Sequence, residues 1–164
     1  MEFLRVILKL KFRELITLTG IFILSPLYLF PTIKATKNTL KNCNVRYGDT
    51  HHSNDRTNAY RHALWNLLLC EEIFRLTGSV EKSINWAHKI TDLHENLSPN
   101  ATLEKAMDLH NNRIGRELFR ESLSEKMNST QLLDEKMGEA VLVNTPEEIE
   151  KVIEDLVYMD STES

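Results

Sequence analysis

The fold is decided at residues 58–66, which read NAYRHALWN. Nine of the twelve residues 59–70 are apolar. At 100° per residue, Asn58, His62 and Asn66 lie on one face of a helix. A helix that is apolar on nearly every side is a buried helix, and buried polar groups need hydrogen-bond partners. The sequence therefore predicts a central helix whose polar row is met by polar side chains from other helices.

The composition favours helices throughout. The chain has 164 residues, a length typical of one domain, with 41% hydrophobic and 27% charged residues. It contains only five glycines and four prolines, whereas Leu, Glu, Lys and Ile are abundant. This balance argues against a turn-rich β architecture. We predict an all-α fold, a compact multi-helix bundle with an apolar N-terminal helical segment.

Three regions follow one another along the chain. Residues 1–46 form a basic, apolar N-terminal helical region, and residues 47–126 form the core helical domain that carries the motifs. Residues 127–164 supply C-terminal supporting helices and an acidic tail. Within this last region, Thr145 is an N-cap residue followed by proline, which predicts a helix that extends to about Tyr158.

The N-terminal region suggests contact with a membrane surface. Residues 1–46 hold eight Lys/Arg against two Glu, although the whole chain carries −4. Leu15–Ile33 is free of charge and long enough to span a bilayer, but Pro26 and Pro31 would interrupt a helix twice. It is therefore a membrane anchor, a core helix, or a helix lying on the membrane surface. We expect an anionic membrane surface rather than nucleic acid as partner, in a membrane-associated or cytoplasmic protein; the alternative is a basic helix docked on its own acidic domain.

Caps and breakers define the remaining helices. The central helix is predicted from about Asp55 to Leu76, ended by Gly78, and Ser79 caps the next one. A long helix follows over about residues 102–126. Gly115 lies inside it at a cost of roughly 1 kcal/mol against alanine, which predicts close approach of another helix or of a ligand.

The helix after Ser79 has a core stripe and a polar side. Trp86 and Ile90 begin the stripe at a spacing of four residues. On an ideal helix His88, Asp92 and Glu95 gather on the opposite side. We therefore expect these three side chains to lie away from the core stripe.

Polar residues edge the apolar stripes of three neighbouring helices. If the helices pack as a bundle, these residues converge in its interior, where bundles hold metal and cofactor sites. Their types suit hydrolysis assisted by a divalent metal such as zinc, with Glu95 as general base. The predicted metal ligands are His62, His94 and Asp108. The predicted catalytic residues are Glu95, His62 and Asp108. The predicted substrate-binding residues are Arg61, Asn66, Asn111, Asn112 and Arg116.

Three motifs in this order resemble a known family. They are RHALWN at residues 61–66, HE at residues 94–95 and MDLHNN-x-x-GR at residues 107–116. They resemble an uncharacterised bacterial family, one of the numbered domains of unknown function, over roughly residues 25–125. The resemblance implies that the three motifs act as one unit, and it supplies no mechanism.

The motifs leave three functions open. The first is a metal-dependent hydrolase-like domain acting on a phosphoester or lipid, because the arginines suit an anionic group. No spacing is a recognised metal signature, since H-E-x-x-H and C-x-x-C are both absent. The second is a non-enzymatic binding or scaffold domain whose polar cluster only specifies helix packing. The third is a toxin-like effector. Any site requires His62 to reach both residues 94–95 and residues 108–112.

Overall fold

The protein is described by a computed structural model over residues 19–48, 55–97 and 101–160. The described part of the chain is 80% helical, which confirms the predicted all-α bundle. The apolar run that begins at Leu15 starts outside the described residues.

The two N-terminal prolines differ in their effect. Residues 19–24 are helical, Pro26–Tyr28 forms a single 3-10 turn, and helix α1 runs over Leu29–Tyr47. Pro26 lies at the break, as predicted. Pro31 lies in the first turn of α1, where backbone N–H groups have no partner within the helix, so it interrupts nothing. Within the described ranges, no helix is long and apolar enough to cross a bilayer.

Helix α2, Arg56–Thr77, is the centre of the bundle, and its predicted ends are confirmed. The Asp55 carboxylate accepts a hydrogen bond from the Thr57 N–H at 2.8 Å, and Gly78 closes the helix with φ +65°. Helices α1, α3 (Val80–Leu97) and α4 (Thr102–Glu125) all pack against it. Its fully buried side chains each contribute roughly 2 kcal/mol to folding. They include Leu67, Leu69 and Ile73.

The buried face of α3 differs from the prediction. Trp86 and Ile90 are buried as expected, but Glu95 is also buried, with 1% of its surface exposed. A row at four-residue spacing turns toward α2 and α4. It consists of Ser83, Ala87, Thr91 and Glu95, all of them buried. These first three side chains are small, so they allow close packing, and the hydrophobic pattern alone does not reveal them.

Gly115 brings α4 into direct contact with α2. A Cβ atom at this position would lie 2.2 Å from the carbonyl oxygen of Ala63. The predicted close approach of another helix is therefore confirmed. Because Ala63 directly follows His62, and Gly115 lies about one helical turn after Asn112, this contact also positions the polar residues of both helices.

The C-terminal region contains less helix than predicted. Helix α5, Ser129–Gly138, is followed by strand β1, Val141–Leu142, by the one-turn helix α6, Pro146–Ile149, and by strand β2, Val157–Tyr158. The strands pair in parallel, with Val141 opposite Val157. The predicted helix to Tyr158 is wrong. Ile149, Leu156 and Val157 are instead buried against the bundle, a tertiary gain that overrides local helix propensity.

Candidate functional site

His62 lies at the centre of a buried polar cluster. Its Nε2 atom is 3.3 Å from Asp108 Oδ1, and its Nδ1 atom is 3.4 Å from Glu95 Oε1. Nδ1 is also 3.3 Å from Asn112 Oδ1. The imidazole therefore lies between two carboxyl groups from two other helices. The expectation that His62 reaches both segments is confirmed.

Among the described residues, the three side chains that could together hold a metal ion are His62, Glu95 and Asp108. Each offers one ligand atom, and these atoms lie within 4.8 Å of one another. The sequence predicted His94 in place of Glu95. His94 is instead exposed, and its ring contacts Trp65 edge-on with 5.3 Å between ring centroids. The histidine therefore packs beside the cluster while the neighbouring glutamate enters it.

A chain of hydrogen bonds runs from Arg116 to Glu95. Arg116 donates to Asn66 Oδ1 at 2.8 Å, and Asn66 Nδ2 donates to Asn112 Oδ1 at 2.6 Å. Asn112 Nδ2 then donates to Glu95 Oε1 at 3.3 Å. Because a guanidinium group can only donate, the arginine fixes the orientation of both amides. The carboxylate is the terminal acceptor of this chain.

A second, shorter chain runs from Arg61 to Asp108. Arg61 Nη2 donates to Asn58 Oδ1, and Asn58 Nδ2 donates to Asp108 Oδ1 at 3.2 Å. The same arginine nitrogen lies 3.1 Å from His62 Nε2. Each carboxyl group of the cluster is thus held by an amide that an arginine orients.

These chains also assign the proton on His62. Asn112 Oδ1 faces Nδ1 as an acceptor, and Glu95 Oε1 on the same side is an acceptor as well. The neutral imidazole therefore carries its hydrogen on Nδ1. Its Nε2 lone pair points to Arg61 and Asp108. This nitrogen is the atom available to accept a proton or to bind a metal.

A comparison with known families accounts for most of the chain. The family described as a domain of unknown function (DUF6973) matches residues 19–141. The chain belongs to this family. The match contains the whole polar cluster, and the predicted resemblance to a numbered domain of unknown function is confirmed. No curated protein and no solved structure matches the chain.

Burial governs the protonation of the cluster in this DUF6973 domain. Desolvation lowers the pKa of His62 to about 4 and raises the pKa of Asp108 to about 6. It also raises the pKa of Glu95. Glu95 Oε2 is buried without a hydrogen-bond partner among the described residues. Since an uncompensated buried carboxylate oxygen is costly, this atom favours a proton or a cation.

The predicted substrate-binding residues lie in different surroundings. Arg61 is half-buried at the edge of the cluster, whereas Asn66 and Asn112 are fully buried and Arg116 is nearly so. Asn66, Asn112 and Arg116 take part in the chain of hydrogen bonds that ends at Glu95. Thr91 was not among the predicted site residues, yet its Oγ1 lies 3.2 Å from Asn66 Oδ1. Its position four residues before Glu95 was the available signal.

Asn111 binds the C-terminal strand instead of the cluster. Its Nδ2 donates to the Val157 carbonyl at 2.8 Å, and its Oδ1 accepts from the Val157 N–H at 2.9 Å. The side chain therefore satisfies both polar backbone groups of one buried strand residue. This arrangement ties β2 to α4.

Replacing Asn111 with alanine should lower the free energy of unfolding by about 2 kcal/mol, because two buried backbone groups lose their partner. Urea unfolding followed by circular dichroism measures the change. Asn42→Ala is the matched control, since its exposed amide only donates to the Asn38 carbonyl within α1. Equal effects of the two substitutions would contradict the role assigned to Asn111.

Proposed function

We propose that this DUF6973 domain is a hydrolase-like enzyme that uses a divalent metal ion held by His62, Glu95 and Asp108. Its substrate is a phosphoester or a lipid with an anionic group, which Arg61 binds. The observation that carries the proposal is the buried, unpaired Glu95 Oε2, within reach of two further metal-ligating side chains.

The donor set fits a zinc-type site in its composition. Imidazole nitrogens and carboxylate oxygens are both zinc ligands, and a catalytic zinc ion takes three protein ligands with a water molecule in the fourth position. A bound divalent ion would lower the pKa of that water toward 7, so that hydroxide forms near neutral pH. His62 is already oriented for this role, because Asn112 Oδ1 accepts from its Nδ1–H and leaves Nε2 available.

Arg61 has a double role in this proposal. Its guanidinium lies 3.1 Å from His62 Nε2, in the region where an ion would bind. Binding of an ion therefore requires the guanidinium to move outward. Because the side chain is half-buried, it can turn toward solvent and bind an anionic substrate group there. Arg61 thus stabilises the carboxylates before metal binding and contacts the substrate afterwards.

A structural role for the cluster is the second candidate. It is favoured by the continuous chain from Arg116 to Glu95, in which buried amides meet donors or acceptors at nearly every atom. A network of this kind can specify how three helices pack without any chemistry. In this alternative Arg61 is a permanent ion partner and no metal binds.

Metal binding to the purified protein distinguishes these candidates. After treatment with EDTA and reloading with Zn²⁺ or Mn²⁺, we expect one equivalent of metal by elemental analysis. His62→Gln should weaken binding by more than roughly 100-fold in calorimetric titration. The matched control is His88→Gln, because His88 forms an exposed ion pair with Asp92. Equal metal binding by these two variants would overturn the proposed site.

Turnover of bis(p-nitrophenyl) phosphate by the metal-loaded protein tests the reaction. Glu95→Gln should reduce the rate by roughly 100-fold or more. Arg61→Met should bind metal more tightly, because the competing cation is removed, and still lose turnover. If Arg61→Met only destabilises the fold and no metal binds to either protein, the structural role is correct.

A further inference from the structure

An apolar tip protrudes where the N-terminal segment enters α1. Leu24, Leu27 and Phe30 are 82%, 74% and 74% exposed, and Ile23 beside them is 73% exposed. Single exposed apolar residues are ordinary on protein surfaces, whereas four large ones within eight residues mark a contact surface. We call these four residues the apolar tip.

A row of lysines continues from the tip along α1. Phe30, Lys34, Lys37 and Lys41 share one helix face, and the three lysines are exposed. The residues by which α1 packs on the bundle are Thr32, Ala35, Thr39 and Cys43. At 100° per residue, the two faces lie roughly 180° apart. Phe30 and the lysine row therefore lie on the face of α1 opposite the bundle, and from this face the Lys34 side chain reaches back to Glu72 of α2.

The positive charge beside the apolar tip indicates the kind of partner that this surface binds. Lysines beside exposed apolar side chains complement an anionic layer over an apolar interior. Residues 1–18 hold four Lys/Arg against two Glu, so their net charge does not complement the lysine row. The acidic body of the same chain is already contacted by the opposite face of α1 and by Lys34, whose Nζ lies 2.9 Å from Glu72 Oε2.

We propose that this face of α1 docks the protein on an anionic lipid surface. Leu24, Leu27 and Phe30 enter the boundary between headgroups and acyl chains, while Lys37 and Lys41 contact anionic headgroups. The contact is peripheral, because only the end of the helix is apolar. It does not depend on the proposed hydrolytic site, since no residue of that site takes part.

Co-sedimentation of the full chain with lipid vesicles tests the docking surface. We expect binding to phosphatidylcholine vesicles that contain phosphatidylserine, weaker binding without it, and weakening as salt is raised. Lys37→Gln/Lys41→Gln should reduce the affinity roughly tenfold or more. Leu27→Ser/Phe30→Ser should reduce it at least as much, by removing the inserted side chains.

Two controls keep the outcome decisive. Val45→Ser removes an apolar residue that is 79% exposed at the other end of α1, and Lys151→Gln removes an exposed lysine of the C-terminal region. Both should bind vesicles as the unaltered protein does. If the tip and lysine variants also bind unchanged, the proposal is wrong and residues 1–18 carry any binding. If Leu27→Ser/Phe30→Ser instead converts a dimer to a monomer in sedimentation velocity, the face binds a second copy and not lipid.

Discussion

Gly115→Ala is expected to lower the free energy of unfolding by about 3 kcal/mol or more. The added methyl carbon would lie 2.2 Å from the Ala63 carbonyl oxygen and 2.8 Å from its carbonyl carbon. Both are backbone atoms, so no side-chain rotation relieves the overlap, and α2 and α4 must separate. Separation would pull Asn112 away from His62. Metal binding should therefore weaken together with stability.

Gly138→Ala is the matched control for this substitution. Gly138 ends α5, and a Cβ atom there meets nothing within 4 Å. Alanine has the higher helix propensity, so a neutral or slightly stabilising effect is expected. Urea unfolding of both variants measures the difference. A Gly115→Ala protein as stable as Gly138→Ala would show that the two helices do not approach as closely as described.

The contact at Gly115 belongs to the part of the fold that local sequence signals predict well. Asp55 and Gly78 cap the two ends of α2, as the capping rules predict. The glycine inside the long helix α4 likewise indicates the close approach of another helix. The polar row of α2 also requires hydrogen-bonding partners, and His62 contacts carboxyl groups on two other helices. Each of these predictions rests on a rule that acts within one helix.

Errors arose where a distant segment decides the structure. The helical pattern predicts Glu95 on the outer side of α3, because the apolar stripe that begins at Trp86 and Ile90 continues along the other side of the helix. The observed face is wider and includes Thr91, whose hydroxyl bonds within its own helix and contacts Asn66. A helical wheel ranks threonine as polar and turns it outward. In the folded protein Thr91 faces the bundle, and Glu95, four residues later on the same helix face, is buried with it.

The C-terminal error has the same origin. Nothing between Ile149 and Tyr158 breaks a helix by propensity, and the chain nevertheless leaves the helix after one turn. The strand that replaces it is held by Asn111, which lies 46 positions away from Val157. The sequence predicts Asn111 as a substrate-binding residue because it is a polar residue within the apolar stripe of α4. Its partner was the backbone of a segment that had been assigned to a helix.

The protonation of Asp108 leads to the second large expected effect. Burial raises the pKa of this carboxyl from 3.8 to about 6, so the folded protein binds the proton more tightly than the unfolded chain. That contribution to stability is fully present below the unfolded pKa and is lost as the pH rises through about 6. Asparagine imitates the protonated acid: its oxygen can accept from Asn58, and its nitrogen can donate to His62 Nε2. Asp108→Asn should therefore raise the free energy of unfolding by roughly 2–3 kcal/mol near pH 8.

His62 makes the pH profile of the variant distinctive. Its pKa is lowered from 6.5 to about 4, so its contribution is present above 6.5 and is lost as the pH falls through about 4. In the unaltered protein this loss on acidification opposes the gain from Asp108, and stability changes little between these pH values. With asparagine at 108 the loss is unopposed. The variant should start more stable near pH 8 and fall toward the unaltered protein as the pH approaches 4.

Urea unfolding with EDTA present, from about pH 8 to about pH 4, measures both profiles. Asp92→Asn is the control, because Asp92 pairs with His88 at the surface, and its profile should follow that of the unaltered protein. If the attraction of Arg61 and the hydrogen bond from Asn58 outweighed the cost of burial, Asp108→Asn would instead lower the free energy of unfolding near pH 8, where the carboxyl is ionised. A variant that gains stability and loses metal binding would mean that the carboxylate is kept at the expense of stability, as functional groups commonly are. The sign of the stability change near pH 8 thus shows whether the burial of the carboxylate or its attraction to Arg61 dominates, and the accompanying metal-binding measurement separates an enzyme site from a packing device.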